Sequence, residues 1–409
     1  MSSPADRTNK VTQLGYWIVW SMVCIFLNVS IGGGIYGSTL CLAWVIGLWI
    51  VTDLKNQGVQ TGLVFLVILF AISLTAGGLI KGTDTALRIW DLPAAETGNR
   101  TFQELGKILL VILGTLSLKN IPHRIFESLV FWIPVGIAGI SVITYISGDG
   151  NTYDLLRFNI PSLGSSNTSG YCFAISLLMA HFSWGKTTDN TIRLLIITVT
   201  LVLGAALLAT VSRGAVLQYI AGLLAFTKRK SQAFVGIAAI IATIVLLFPN
   251  IAEYLQRLLS LLDLQALQQE GTGGGRIFIW KSLIGSLLSA GPWHFFFGFS
   301  PGSISLRLPG AGGSLVQFSA HSLYVDILYS FGIIGATIGA YWMLKISRKI
   351  LKSSPRDPWR NLQWGLFVIL FFGGVFDSYI VTAQLLWLSC VVLAILHVNS
   401  PQEYQKLRA

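Results

Sequence analysis

Along almost the whole chain, apolar stretches are separated by short polar turns. Each stretch approaches or matches the roughly 17–25 residues a helix needs to cross a hydrocarbon core. Backbone N–H and C=O groups in lipid find no water, so a segment of this kind must close its hydrogen bonds within itself, as a helix. The two-residue alternation of a membrane barrel is absent. The pattern predicts about twelve membrane helices and an all-α, polytopic fold. They fall near 14–32, 35–52, 61–80, 105–118, 125–147, 169–184, 192–211, 214–226, 233–249, 320–344, 362–380 and 383–398. The fourth, sixth and eighth are short and are expected to be tilted or partly interfacial.

Three polar interruptions are long: 81–104, 148–168 and 250–319. The last divides the chain into a nine-helix membrane region over 1–249, a loop over 250–319, and a three-helix membrane region with a short tail over 320–409. Within the loop, residues 251–269 repeat apolar positions at helical spacing and predict an amphipathic helix lying on a membrane surface. The run Gly271-Thr272-Gly273-Gly274-Gly275 ends it, and Arg276-Ile277-Phe278-Ile279-Trp280-Lys281 opens another helix. Residues 291–319, rich in Gly, Ser and aromatics, predict a folded loop. A connection this long between spans is more often functional than idle.

Composition agrees with the pattern. The chain is 53% hydrophobic and 11% charged, against about 25% charged in a soluble domain. The net charge of +11 would raise nucleic acid as a partner for a soluble protein. Here its distribution explains it better, and no nucleic acid is expected. With the N-terminus in the cytoplasm, most Lys and Arg fall on the cytoplasmic side, as the positive-inside rule requires. The Lys228-Arg229-Lys230 turn and a basic loop over 345–360 are the strongest anchors, and they suit lipid head groups. Both termini are then cytoplasmic and the long loop lies outside. Cys24, Cys41, Cys172 and Cys390 all fall in apolar spans, without metal-ligand spacing.

Ionisable residues at span ends are expensive and tend to mark function. Arg213, in Ser212-Arg213-Gly214, lies between two spans joined by almost no loop. It can meet an anion at the membrane surface; the plainer alternative is a snorkelling arginine on lipid phosphate. Arg276 joins a glycine run to a helix start, where backbone N–H groups and a guanidinium fork can hold phosphate. The alternative is a hinge followed by a solvated arginine. His321 begins the tenth predicted span in Ala320-His321-Ser322-Leu323-Tyr324-Val325-Asp326. Histidine takes up a proton near neutral pH, and on a helix Tyr324 shares its face. A histidine that merely sits at the interface is the competing reading. Arg307, in the long loop, is a further candidate phosphate or sugar contact, set against a solvent-facing arginine. His294, with Trp293 and Phe295-Phe296-Phe297, reads as part of an interfacial aromatic belt. His123, His181 and His397 receive no role.

Other chemistry is missing. The sequence has no close carboxylate pair for glycoside hydrolysis, no histidine–acid cluster with metal spacing and no serine elbow. Arginines with one histidine on one membrane face suit a lipid diphosphate. The arginines would balance its charge as it leaves, and the histidine would take the proton of an attacking hydroxyl.

Three pieces then resemble the O-antigen ligase and polymerase superfamily: Val211-Ser212-Arg213-Gly214-Ala215, Gly274-Gly275-Arg276-Ile277-Phe278-Ile279-Trp280, and Ala320-His321-Ser322-Leu323-Tyr324 with Phe331-Gly332-Ile333-Ile334-Gly335. Their order and placement also match, across the C-terminal half; the first 200 residues match only in general character. The resemblance implies a bacterial inner-membrane glycosyltransferase with its active site facing the periplasm. It implies metal-independent, inverting transfer from a polyprenyl-diphosphate-linked glycan, with no cofactor. Arg213 and Arg276 would bind the donor diphosphate and His321 would activate or position the acceptor hydroxyl. Beside those carried-over roles, Arg307, Tyr324 and Trp280 are read from their positions as candidate substrate contacts. One departure is Ser322, where the family often has Asn.

A ligase, joining O-antigen to lipid A core, is the first reading. A polymerase extending a growing glycan shares the donor chemistry and differs only in acceptor. Small-anion transport is the reading from another class. It calls for paired broken helices near the midplane, and the sequence shows no pair of interrupted spans.

Overall fold

The computed structural model describes residues 123–148, 158–163, 165–227, 274–299, 305–307, 315–317, 321–354, 357–375 and 385–398, with several positions between 107 and 118. The three N-terminal predicted spans, the ninth, the amphipathic helix over 251–269 and the Lys228-Arg229-Lys230 turn lie outside them.

The described part is helical apart from one short hairpin. Its helices are α1 (His123–Ser147), α2 (Ser166–Lys186), α3 (Asn190–Ala209), α4 (Arg213–Phe226), α5 (Gly274–Ser289), α6 (Pro292–Phe297), α7 (Leu323–Lys352), α8 (Pro358–Gly373) and α9 (Leu386–His397). Strands β1 (Ser305–Arg307) and β2 (Leu315–Gln317) pair antiparallel, with Arg307 opposite Leu315. Among the described residues, three segments are long and apolar enough to cross a membrane: Phe126–Ser147, Asn190–Ala209 and Leu323–Lys352. Arg213–Phe226 and Leu386–His397 are shorter apolar helices.

Polar side chains set the helix starts that hydropathy leaves vague. Asp189 accepts from the Thr191 and Ile192 N–H groups at 2.7 and 3.3 Å and starts α3. Asp357 accepts from Trp359 N–H at 3.0 Å and starts α8, with Pro358 where a missing N–H costs nothing. Ser165 caps α2 through Thr168 N–H.

Helix α2 is the axis of the bundle, buried without interruption from Thr168 to Ala180. Helices α1, α3, α4 and α8 pack around it. The closest crossing is α4 on α8, at two facing glycines. A Cβ on Gly222 would lie 2.5 Å from Ile369 Cγ1, and one on Gly365 would lie 3.0 Å from the Gly222 carbonyl oxygen. Small residues of this kind let helix backbones approach where lipid removes any hydrophobic drive to associate. Leu194, Ile197 and Leu201 instead point out of the bundle along α3, at helical spacing. An apolar stripe left outside a packed core is what a lipid-facing surface requires.

The packing fixes which helix ends share a side. Lys186 Nζ meets Glu127 Oε1 at 2.9 Å, so α2 ends where α1 begins. Lys349 Nζ donates to the His397 carbonyl, and Arg360 Nε donates to the Ile350 carbonyl at 3.0 Å. Gln363 Nε2 donates to the carbonyls of Ile395 and Val398 at 2.7 and 2.8 Å, closing the end of α9. The starts of α4 and α7 and the end of α8 lie together at the opposite side.

Three expectations need correction. Residues 345–352 are not a loop but the last turns of α7, which runs to Lys352. The basic residues there sit at a helix C-terminus, where cations are favoured. Helix α8 begins at Pro358 and ends at Gly373, earlier than the run 362–380, because Asp357 caps it. Helix α7 is interrupted at Gly332, which takes φ 64 and ψ −165. A Cβ there would run into the Phe296 carbonyl group, and one on Gly298 (φ 80) would lie 2.5 Å from the Ser330 carbonyl. The chain end of α6 thus presses backbone to backbone into the break in α7, and only glycine allows it.

Candidate functional site

The first motif forms the turn between α3 and α4. Thr210 Oγ1 donates to the Leu207 carbonyl at 2.6 Å and accepts from Ser212 N–H at 3.2 Å. Ser212 caps α4 by accepting from Ala215 N–H at 3.4 Å, and its hydroxyl donates to Asn167 Oδ1 at 2.8 Å. Val211, between them, takes φ 51. A β-branched residue in the left-handed region is strained, and such strain persists only where its surroundings enforce it. Arg213 is the first residue of α4 and is half-buried. Asn167 is a contact that sequence reading missed: its partner lies 45 positions away, and no local signal announces the pair.

The second motif starts α5. Arg276 lies in its first turn, half-buried. One turn on, Ile279 and Leu283 are buried with Tyr329 of α7, and Trp280, Val325 and Phe299 pack against them. Trp280 therefore serves the α5–α7 contact.

The third motif starts α7, but not as expected. The helix begins at Leu323 with Ser322 as its N-cap, so His321 is outside it. Its φ is 49. The helical spacing that would put Tyr324 on the face of His321 therefore does not apply. Tyr324 instead donates its hydroxyl to the Phe371 carbonyl. Val211 and His321 have left-handed backbone in common, and each lies in one of the three motifs.

Contacts bring these segments to one side of the bundle. Leu323 N–H donates to the Gly374 carbonyl at 2.7 Å, tying the start of α7 to the end of α8. Gln218, early in α4, packs on Gly373 at that same end of α8. The starts of α4 and α7 are thus linked through the last residues of α8. The start of α5 joins them by sharing with α7 the cluster that holds Trp280 and Val325. Arg307 lies on β1, between α6 and α7 in the chain.

His294 belongs elsewhere. It is buried, not part of a surface belt. Its ring stacks on Phe299 at 4.4 Å, and Phe299 stacks on Tyr329 at 4.8 Å. Its Nδ1 lies 3.1 Å from the Gly298 carbonyl oxygen, which can only accept, so that nitrogen carries the proton. Phe299 N–H donates to the Tyr329 carbonyl at 2.8 Å, occupying an acceptor beside the break in α7. Trp293 and Phe296 do remain exposed. Among the described residues no group of His, Cys, Asp or Glu is placed to hold a metal ion.

No curated protein matches this chain. A family model described as O-antigen ligase matches residues 198–339, a stretch that begins in α3 and contains all three motifs. Over that stretch the chain is similar to the O-antigen ligase family.

Proposed function

We propose that the protein is a ligase that moves a glycan from a polyprenyl diphosphate carrier to a hydroxyl of lipid A core. The observation that carries this reading is the gathering of the Arg213, Arg276 and His321 segments at one side of a membrane bundle. Two guanidinium groups offer planar forks for the diphosphate oxygens. They stabilise the charge that grows there as the sugar leaves. His321 takes the proton of the acceptor hydroxyl. That oxygen bonds to the anomeric carbon from the face opposite the carrier, the bond to the diphosphate oxygen breaks with its electron pair, and the configuration inverts. The transfer needs no metal ion. Arg307, Tyr324 and Trp280 lie in the flanking segments as substrate contacts; for Tyr324 that contact competes with its bond to Phe371.

The site faces the periplasm of a bacterial inner membrane, with both chain ends in the cytoplasm. The basic end of α7 supports that orientation. A polymerase would use the same donor chemistry with a growing glycan as acceptor. Transport has one observation in its favour, the break in α7 at Gly332. Yet α6 fills that break and Phe299 N–H bonds the Tyr329 carbonyl beside it, so protein rather than an ion occupies the freed backbone.

Complementation tests the reading. In a bacterial strain lacking its own ligase, the wild-type protein should restore the lipopolysaccharide ladder on a gel, and Arg276→Ala should not. A ladder restored equally by Arg276→Ala would remove the diphosphate role.

A further inference from the structure

Gln218 is a polar residue the proposed chemistry does not use. It lies in α4, five positions after Arg213, and is fully buried. Neither Nε2 nor Oε1 has a hydrogen-bond partner among the described residues. An orphaned buried amide costs stability and calls for an explanation.

Its surroundings are specific. The amide rests on Gly373: a Cβ there would lie 2.8 Å from Gln218 Cδ and 3.0 Å from both amide heteroatoms. The next residue, Gly374, accepts from Leu323 N–H at the start of α7. The amide therefore sits where α4, α7 and α8 meet, between the Arg213 and His321 segments. Helical side chains lean toward the N-terminus of their helix, so Gln218 leans toward Arg213. Gly214, one turn above it, has no side chain in the way. That turn spans roughly 6 Å.

The free atoms define the ligand class. Nε2 donates and Oε1 accepts. A diphosphate oxygen only accepts and would leave Oε1 without a donor. A hydroxyl does both.

We propose that Gln218 is a further substrate-binding residue, its carboxamide exchanging hydrogen bonds with a sugar hydroxyl below the Arg213–His321 side of the bundle. This rests on the transferase reading above. The amide rests on Gly373, and rotation about its side-chain torsions would carry it toward Gly214.

Gln218→Met, close in shape and without the amide, tests the idea. Purified wild type and variant would be compared in detergent for thermal unfolding, for transfer, and for the thermal shift caused by two probes. One probe is a polyprenyl-diphosphate glycan and the other is lipid A core oligosaccharide. The variant should unfold at the same temperature or higher, because an orphaned amide is gone. It should lose at least tenfold in transfer, through a raised KM for one of the two glycans, and its shift with that probe should fall accordingly. Which probe is affected identifies donor or acceptor as the source of the hydroxyl. Equal transfer and equal shifts in both proteins would overturn the proposal and leave the transferase reading intact. If wild type transfers nothing but a probe still shifts it more than the variant, the transferase reading fails while the hydroxyl subsite stands. No shift and no transfer with wild type would reject both. Gln218→Leu serves as a second variant. Failure of both to fold would also overturn the proposal, since the amide would then be a structural partner.

Discussion

Val211 and His321 show how individual residues are held here. Each carries a side chain in a backbone region that favours glycine, and each lies in one of the motifs that carry Arg213 and His321. Such strain costs of order 1–3 kcal/mol per residue. If that strain serves to aim Arg213, Val211→Gly should unfold no earlier than wild type in a detergent melt yet transfer glycan more slowly. Unchanged transfer would mean the turn has no aiming role. Arg213 is expected to act as a fork rather than as a bare charge. Arg213→Lys should then keep only a small part of the activity and Arg213→Ala none, measured as initial rates at equal membrane abundance. His321→Ala should abolish turnover while donor binding survives. The residue types of the candidate site stand out in the sequence, because an arginine or histidine at a span end contrasts with apolar neighbours. The backbone around them was not. Nothing local distinguishes a left-handed His321 from a helical one, and the helical pairing of His321 with Tyr324 fails because the helix starts at Leu323.

Among the helices, the closest contacts are made by what is absent. Gly222 and Gly365 bring α4 against α8, and that contact carries Arg213 and the end of α8 as one unit. Gly365→Leu should force the two helices apart. The expected cost is about 1–3 kcal/mol, typical of overpacking, read as a lower unfolding temperature, with transfer reduced in the same variant. The same change with no loss of stability would show that the crossing is looser than its geometry indicates. Long apolar runs gave α1 and α3 to within a few residues, because length and composition suffice for a helix in lipid. The break in α7 has no local signal, because Gly332 sits in a continuous apolar run. What breaks the helix there is Gly298 and the Phe296 carbonyl, brought from a distant part of the chain. Likewise, Lys345 to Lys352 read as a polar loop by charge alone, although Lys349 finds the end of α9 and the helix continues.

At the scale of the molecule, the described residues form a helical bundle with two unlike sides. One gathers the starts of α4 and α7 and the end of α8; the other carries Lys349, Lys352 and Arg360. On the proposed orientation the basic side lies in the cytoplasm, as the positive-inside rule favours, and the motif side in the periplasm. A cysteine introduced by Thr272→Cys should therefore react with a membrane-impermeant thiol reagent in cells with a permeabilised outer membrane, and one introduced by Ser354→Cys should not. The opposite labelling would invert the orientation and put the motifs on the wrong side for a carrier displayed in the periplasm. On the proposed function, this side of the bundle transfers a lipid-linked glycan through its own arginines and histidine. The most direct test is transfer by the purified protein in lipid nanodiscs, with a polyprenyl-diphosphate glycan as donor, lipid A core as acceptor and EDTA present throughout. Wild type should form the joined product, and Arg213→Ala, Arg276→Ala and His321→Ala should each form none while remaining folded. Product formed undiminished by all three variants, or formed by wild type only when EDTA is left out, would contradict the account.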